Sequence, residues 1–267
     1  MSEKIDNIFQ NISIVVPNLN SSDDLKKLVQ SLKIQTYKSW QLVIIDGNSD
    51  QKDINYIESI STNDKRIEYF SQEKEYKGIY GAMNQGLKYT FKDNWIVFWG
   101  SDDWLEDKYK LEKLFLEIKN VQKKIDILSC KVNYVSKSNK VLRKSFFSFK
   151  ERFFNRNEYF IKILFGDIPP HQGAVLSPRL VKKGNIFNDK YSIAADLDFF
   201  ISLFRREGLW VKSSKINLLN LSPGGLSERK VLLKFKEVLF IYLKHFSVFF
   251  FIPITIRYIR RYILNKN

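Results

Sequence analysis

The chain has 267 residues, of which 44% are apolar, with one cysteine and a formal net charge of +15. This length and apolar content exclude a disordered chain and suit one large domain, or one domain with an appendage. The lone Cys130 excludes an internal disulfide framework and fits a reducing compartment, while the charge calls for an anionic partner: nucleic acid, a phosphorylated substrate or anionic lipid.

The opening MSEKIDNIFQNIS has no apolar run of signal-peptide length, so the expected location is the cytoplasm. ISIVV (12–16) is a continuous apolar, β-branched run, the mark of a strand buried on both faces, and it stops at Pro17. SSDDLKKLVQSLKIQ (21–35) opens with capping residues and acids, then spaces Leu25, Leu28, Val29 and Leu32 as one helical face. QLVIID (41–46) is a second buried strand and KDINYIESI (52–60) a second helix. RIEYF (66–70) is a short strand, YGAMNQGLKYTF (80–91) a helix and WIVFW (95–99) a fourth strand. Strand and helix alternating at this spacing predict βαβ units and a parallel sheet.

The pattern is less regular beyond Asp107. KYKLEKLFLEIKN (108–120) reads as a helix, 126–135 and 140–149 as strands of a partly antiparallel region, and FGDIPPHQGAVLSP (165–178) as a loop entering a short strand. IAADLDFFISLFRREG (193–208) is an amphipathic helix, and LWVKSSKINLLNL (209–221) a closing strand pair. The tail, 232–264, is apolar and basic together: from Glu228 onward there are nine Lys or Arg against two acids, a balance of +7. Lys244, His245 and Pro253 break it before any clean span of membrane length forms. It reads either as helices packed on the body or as an in-plane amphipathic anchor whose cations meet anionic headgroups.

In a parallel sheet, ligands bind beyond the carboxyl ends of the strands. Three predicted strand ends carry polar clusters: Pro17-Asn18-Leu19-Asn20, Asp46-Gly47-Asn48-Ser49-Asp50, and Gly100-Ser101-Asp102-Asp103. Adjacent carboxylates repel and are costly to desolvate unpaired. Asp102 and Asp103 therefore either face water, with Asp103 capping the next helix, or hold a hard divalent cation, Mg²⁺ or Mn²⁺, beside a diphosphate. Asp46 before Gly47 is either a simple turn or a carboxylate that accepts hydrogen bonds from a nucleobase or ribose.

Taken together these residues resemble family 2 glycosyltransferases of the GT-A fold. There, a strand ending in Pro-x-x-Asn leads to a helix, a Gln-x-Tyr turn, matched by Gln35-Thr36-Tyr37, and a strand ending in Asp-Gly-x-Ser. SQEKEYKGIYGAMNQGLKY (71–89) is similar to the Ser-Glu-x-Asp-x-Gly-Ile-Tyr-Asp-Ala-Met-Asn-Lys-Gly segment of bacterial O-antigen and capsule enzymes, and WIVFWGSDDW stands where the family has its Asp-x-Asp metal motif. The likeness covers about residues 11–107; His171-Gln172 and Ala194-Ala195-Asp196-Leu197-Asp198 fall at acceptor-side motifs.

The resemblance implies an α/β GT-A fold: a Rossmann-like, mainly parallel sheet flanked by helices, with a mixed acceptor-side half and a C-terminal amphipathic helical tail. Residues 1–107 would be the donor half, 108–227 the acceptor and catalytic half, and 228–267 the membrane-associating tail. It implies an inverting, metal-dependent hexosyltransferase that moves a sugar from a UDP-sugar to a lipid-linked saccharide in surface polysaccharide synthesis, peripheral on the inner face of the cell membrane. Pro17, Asn20, Asp46, Gly78, Asn84 and Asp102 would line the donor site; Asp103, with His171, would hold Mn²⁺ or Mg²⁺. Asp196 would be the base that takes the acceptor hydroxyl's proton as that oxygen attacks the anomeric carbon in line.

Several positions depart from the family pattern: Ser101 for the first Asp of Asp-x-Asp, Gly81 for Asp, Gln85 for Lys, and Ala195 for the Glu of a Glu-Asp pair. They leave open the number of direct metal ligands, the donor contacts of 71–89, and a catalytically inactive family member acting as an assembly subunit. Asp198 is the rival base, although positions two apart on a helix face different ways. His171 is open between a diphosphate or metal contact and a structural histidine beside Pro169-Pro170. A nucleic-acid-binding protein is disfavoured, because the charge concentrates in an apolar tail and no helix-turn-helix, zinc or ribonucleoprotein motif occurs. A nucleotidyltransferase would need a basic glycine-rich loop, which PNLNSSDD lacks.

Overall fold

Continuous β-branched runs force burial of both strand faces, and the computed structural model shows how this is met. It describes residues 11–121, 124–136, 138–182, 184, 186–222 and 230–266. The first half runs β1 (Ile12–Asn18), α1 (Ser22–Lys33), β2 (Trp40–Asp46), α2 (Gln51–Asn63), β3 (Ile67–Ser71), α3 (Gly78–Gly86) and β4 (Trp95–Phe98). β1 pairs in parallel with β2 and β4, and β2 with β3, in the register Val15 opposite Val43 and Phe98. Pro17 costs β1 no bond to β4, because that pairing ends at Val15.

Side chains alternate between two cores. Ile12, Ile14, Val16, Leu42 and Ile44 pack with Leu25, Leu28, Val29 and Leu32 of α1 on one face. Val15, Val43, Ile45 and Phe98 face Tyr80, Ala82 and Met83 of α3 on the other.

The second half is α4 (Lys110–Lys119), β5 (Ile127–Val135), β6 (Val141–Ser145), β7 (Arg152–Asn155), α5 (Arg156–Leu164), β8 (Ala174–Leu176), α6 (Pro178–Val181), α7 (Ala195–Ser202) and β9 (Trp210–Leu221). Among the described residues the strands form one nine-stranded sheet, ordered β3-β2-β1-β4-β8-β5-β9-β7, with β6 on β5. β8 runs antiparallel to β4 and β5, whereas β5 and β9 are parallel, so the second half is mixed as expected.

Two expectations are corrected. The closing strand pair is one strand, β9, because the turn-like Lys212-Ser213-Ser214 is buried against partners: Lys212 pairs with Glu117 and Glu151, and Ser214 donates to Glu117. Irregular register between Ser129 and Val132 on β5 absorbs its bend. The helix read over 193–208 is regular only to Ser202, then tightens to a 3₁₀ turn through Arg205. α5 was unread, although Asn155 and Glu158 form a capping box at its start.

The tail forms α8 (Val231–Phe246) and α9 (Phe251–Lys266), parted where Ser247 takes φ 49°. Pro253 lies in the first turn of α9, where its missing N–H breaks no helical bond. Val238, Ile241 and Tyr242 of α8 join the core that contains α7.

α3 crosses β1 at Gly86, where a Cβ would stand 2.3 Å from Val15 Cγ1. Gly86→Ala is expected to destabilise by about 1–3 kcal/mol, the usual range for overpacking. The measurement is the urea midpoint at unchanged slope; an unshifted midpoint would refute the tight crossing.

Candidate active site

The carboxyl ends of β1 and β2 are locked by one carboxylate. Asp46, 1% exposed, accepts from Asn18 Nδ2 at 2.9 Å, Ser49 Oγ at 2.6 Å, and the Asn48 and Ser49 amides at 3.1 and 2.9 Å. Four donors fill the capacity of a carboxylate. The turn reading of Asp46 describes these bonds: the side chain builds the loop at the sheet's carboxyl edge. Asn20, at φ 49°, donates its amide to Ser49 Oγ at 2.9 Å and accepts from the Asp50 amide at 2.8 Å. Ser21 Oγ lies 2.7 Å from Asn18 Oδ1 and 2.8 Å from Ser101 Oγ, tying this loop to the end of β4.

Of the two adjacent aspartates, Asp103 is shut away from water and Asp102 is half-buried. Asp103 is 3% exposed and accepts from the Gly100 amide at 2.6 Å. It caps no helix: α4 begins at Lys110 behind Tyr109. Burial, then the Asp102 carboxylate, push the Asp103 carboxyl well above the usual range; burial raises Asp102 as well. Gly100 has a steric role, since a Cβ there would lie 2.6 Å from Asp102 Oδ1.

α3 and α7 bring the next residues together. Tyr80 Oη lies 2.9 Å from the Ile193 carbonyl and 3.0 Å from Asp196 Oδ1. Burial, then the Asp196 carboxylate, raise the phenol's pKa well above its ordinary value, so it stays a proton donor to both oxygens. His171 is packed by the rings of Tyr80, Phe98, Phe187 and Phe200. Burial lowers its pKa while Asp196 pulls the other way, and Nε2 is sealed without a hydrogen-bond partner. Among the described residues no group of three or more His, Cys, Asp or Glu side chains is arranged to hold a metal. The structure thus joins Asp102 with Asp103 and Asp196 with Tyr80, and sets His171 among aromatic rings.

The remaining residues are accounted for locally. Asn84 clasps the Phe187 backbone, donating to its carbonyl at 2.7 Å and accepting from its amide at 3.0 Å. It lines a cleft of about 450 Å³ with Glu75, Tyr76, Phe187, Asn188 and Asp189. Gly78 opens α3 at φ +64°, a conformation L side chains rarely adopt. At Gly81 a Cβ would stand 2.6 Å from the Tyr76 carbonyl carbon, which explains why the family's Asp is absent. Gln85 accepts from the Glu73 amide at 2.9 Å and donates to the Ser71 carbonyl at 2.8 Å, so it holds the β3–α3 loop. Ala195 is fully buried.

Asp198 is committed elsewhere. Lys244 Nζ donates to both its oxygens at 2.9 Å, and His245 Nε2 lies 2.7 Å from Oδ1. Burial would raise its pKa, but the His245 and Lys244 bonds outweigh burial and hold it below the usual range.

A family model matches the chain over residues 13–209, that of glycosyl transferase family 2. The chain belongs to this family. Glycosyltransferase GlyA of Streptococcus pneumoniae is 33% identical over 116 residues, 43% of this chain and 16% of that protein. An Escherichia coli enzyme, UDP-Glc:alpha-D-GlcNAc-diphosphoundecaprenol beta-1,3-glucosyltransferase WfgD, is 31% identical over 102 residues, 38% of this chain and 39% of that one. The chain thus matches well under half the length of either relative. S. aureus TarS 1-349 in complex with UDP-GlcNAc superposes with TM-score 0.66 at 17% identity, covering 87% of this chain and 66% of that one. The mannosyltransferase PcManGT of Pyrobaculum calidifontis, in complex with GDP-Man and Mn²⁺, gives 0.60 at 13% identity, covering 96% and 70%. The family 2 chain has the GT-A fold, as the motifs implied.

Sequence reasoning placed Asn18 in a cluster without giving it a role, and left Tyr80 and Glu237 out. Tyr80 carried a signal, its place in the family's Gly-Ile-Tyr segment. Asn18 was marked only by its strand end. Glu237 was one of two acids in a basic tail, and its role depends on a partner far along the chain.

The Asp103 shift has a sign. Its folded carboxyl binds a proton more tightly than in the unfolded chain, so its ionisation opposes folding, and that cost grows as pH rises above the unfolded value near 3.8. Metal-free Asp103→Asn is expected to melt above wild type at pH 8, with the gap closing toward pH 4. A variant melting below wild type at pH 8 would contradict this.

Proposed function

We propose that the chain is an inverting, metal-dependent glycosyltransferase that moves a sugar from a UDP-sugar to a lipid-linked saccharide acceptor. The carrying observation is one carboxyl-edge constellation: the Asn18–Asp46 loop, the Asp102–Asp103 pair bound to it through Ser21 and Ser101 with Asp103 buried, and Asp196 under Tyr80. The UDP donor and diphosphoundecaprenol acceptor in the E. coli relative's name, and the UDP-GlcNAc bound by TarS, support the substrate classes.

The residues divide the work. Pro17, Asn20 and Asp46 shape the nucleoside edge, where a nucleobase N–H that reaches Asp46 would replace one of the loop's own donors. Gly78 and Asn84 form the wall on the sugar side. Asp102 and Asp103 fit a divalent cation, since they offer hard oxygens from a half-buried and a buried carboxylate side by side, and no ion pair neutralises Asp103 among the described residues. Bound there, Mn²⁺ or Mg²⁺ would neutralise charge on the leaving diphosphate. His171 stands among the rings of Tyr80, Phe98, Phe187 and Phe200, within the field of Asp196, rather than as a primary ligand.

Asp196 takes the proton of the acceptor hydroxyl as that oxygen attacks the anomeric carbon and the nucleoside diphosphate leaves from the opposite face. Tyr80 fixes its carboxylate. Asp198 does not compete for this role, because an ammonium and an imidazole already hold it. Residues 1–107 act as the donor half and 108–227 as the acceptor half.

The tail meets an anionic membrane surface from the cytoplasmic side. α8 exposes Leu232 and Phe240 at 82 and 60%, and the 3₁₀ turn between α8 and α9 exposes Val248 and Phe249 at 71 and 65%, within the segment that carries the +7 balance. Among the described residues no helix is long and apolar enough to cross a membrane.

Three experiments test this. In thermal-shift titrations, UDP with Mn²⁺ is expected to raise the melting temperature of wild type and of Asp196→Asn, while Asp103→Asn loses the metal-dependent part. Asp196→Asn is expected to lose at least ~100-fold in transfer, the scale of general-base catalysis; turnover near wild type would remove Asp196 from the role. In sedimentation with anionic phospholipid vesicles, Leu232→Asp/Phe249→Asp is expected to stay in the supernatant where wild type pellets, and equal pelleting would refute the membrane face.

A further inference from the structure

α7 carries Asp196 in its first turn but has no cap of its own. Ala194, at the cap position, has no side-chain oxygen to offer the free amides. What the tail supplies is a carboxylate for the three residues that lead into the helix. Glu237 of α8, buried at 6% exposure, accepts from the Ser192 amide through Oε1 at 2.7 Å and from the Ile193 and Ala194 amides through Oε2 at 2.9 Å each. A carboxylate at a helix start is also favoured by the helix dipole.

The same short segment is gripped from its other side. The Ile193 carbonyl that follows one of these amides accepts from Tyr80, the phenol that also meets Asp196. One helical turn on, Lys244 and His245 hold Asp198, and Arg205 donates to His245 Nδ1 and, at 3.1 Å, to its carbonyl. Glu237, Lys244 and His245 lie seven and eight positions apart, so they share one face of α8. Val238, Ile241 and Tyr242 fill the space between them.

We propose that Glu237 is a positioning residue for the reaction, setting the place of the Asp196 carboxylate through the 192–194 backbone. On this inference the tail helix completes the active site as well as facing the membrane. The inference rests on the reading of Asp196 as the base. It adds that the base is registered against the sheet by two contacts: Tyr80 from the donor half and Glu237 from the tail.

The test uses Glu237→Gln, which keeps the side chain's shape but loses its charge and one of its two acceptor oxygens. Glu237→Ala would strip three amides, two of them buried, and risk unfolding. With UDP-glucose and UDP-N-acetylglucosamine as donors, Glu237→Gln is expected to lower kcat by ~10–100-fold, the scale of a misplaced catalytic group. Donor KM and the UDP–Mn²⁺ melting shift should stay within about twofold, because those contacts lie on other strand ends. Ile118→Ala, in the core on the opposite face of the sheet, serves as the control for lost stability and is expected to keep kcat. Amide exchange over 192–196 should quicken in Glu237→Gln while β1 stays slow, a readout that needs no substrate. Unchanged exchange there, a kcat within twofold of wild type, or an equal kcat loss in Ile118→Ala would overturn the inference. A wild type inert toward UDP-sugars would overturn the donor reading instead, leaving the exchange result to decide the clamp.

Discussion

Two carboxylates at one sheet edge, met by opposite numbers of hydrogen-bond donors, set the character of this molecule. Asp46 has four donors from its own loop. Asp103 has the Gly100 amide and a second carboxylate beside it. A satisfied buried carboxylate stiffens the backbone around it, while an underprovided one carries a standing desolvation cost that only a cation or a proton relieves. The strands that end at these residues are locked together by parallel pairing, so the contrast sits at a fixed spacing. The loops that follow must fold around it: Ser21 bridges Asn18 to Ser101, and Gly100 leaves room for the Asp102 side chain.

The parts of the fold that could be read from sequence are those whose patterns come from local burial. β1, β2 and β4 are apolar without alternation because helices cover both faces of the sheet, and the polar residues at their ends mark where that cover stops. The parts that could not be read depend on distant partners. Lys212-Ser213-Ser214 looks like a turn until Glu117 and Glu151 are placed beside it. Gln85, in place of the family's Lys, looks like a lost ligand contact until it is seen to hold the Ser71 and Glu73 backbone. Gly81 looks like a lost carboxylate until the Tyr76 backbone is found where its Cβ would be.

The tail posed a choice between packing on the body and lying on a membrane, and one face of α8 packs on the body. Its sequence is apolar nearly all round. Glu237, Val238, Ile241, Tyr242 and His245 turn inward, while Leu232, Phe235, Phe240 and Leu243 turn out. Hydrophobicity alone does not separate the two faces, because both are apolar. The lone acid separates them. An unpaired carboxylate in a basic, apolar helix has either a cation or a set of amides waiting for it, and the amides of 192–194 are that set.

This arrangement also bears on the choice between Asp196 and Asp198. Two positions apart on a helix, they point to different neighbours, and the neighbours differ in what they permit. Asp198 receives an ammonium and an imidazole, partners that favour its ionised form and would have to be broken for it to take up a proton. Asp196 receives a phenol, which orients the carboxylate without neutralising it. In the proposed reaction one aspartate anchors the helix to the tail while the other faces the acceptor, and the anchor is a condition for the other's placement. A base on the first turn of an uncapped helix would drift with that turn; fixing its backbone from both sides confines it to where a hydroxyl can be met in line.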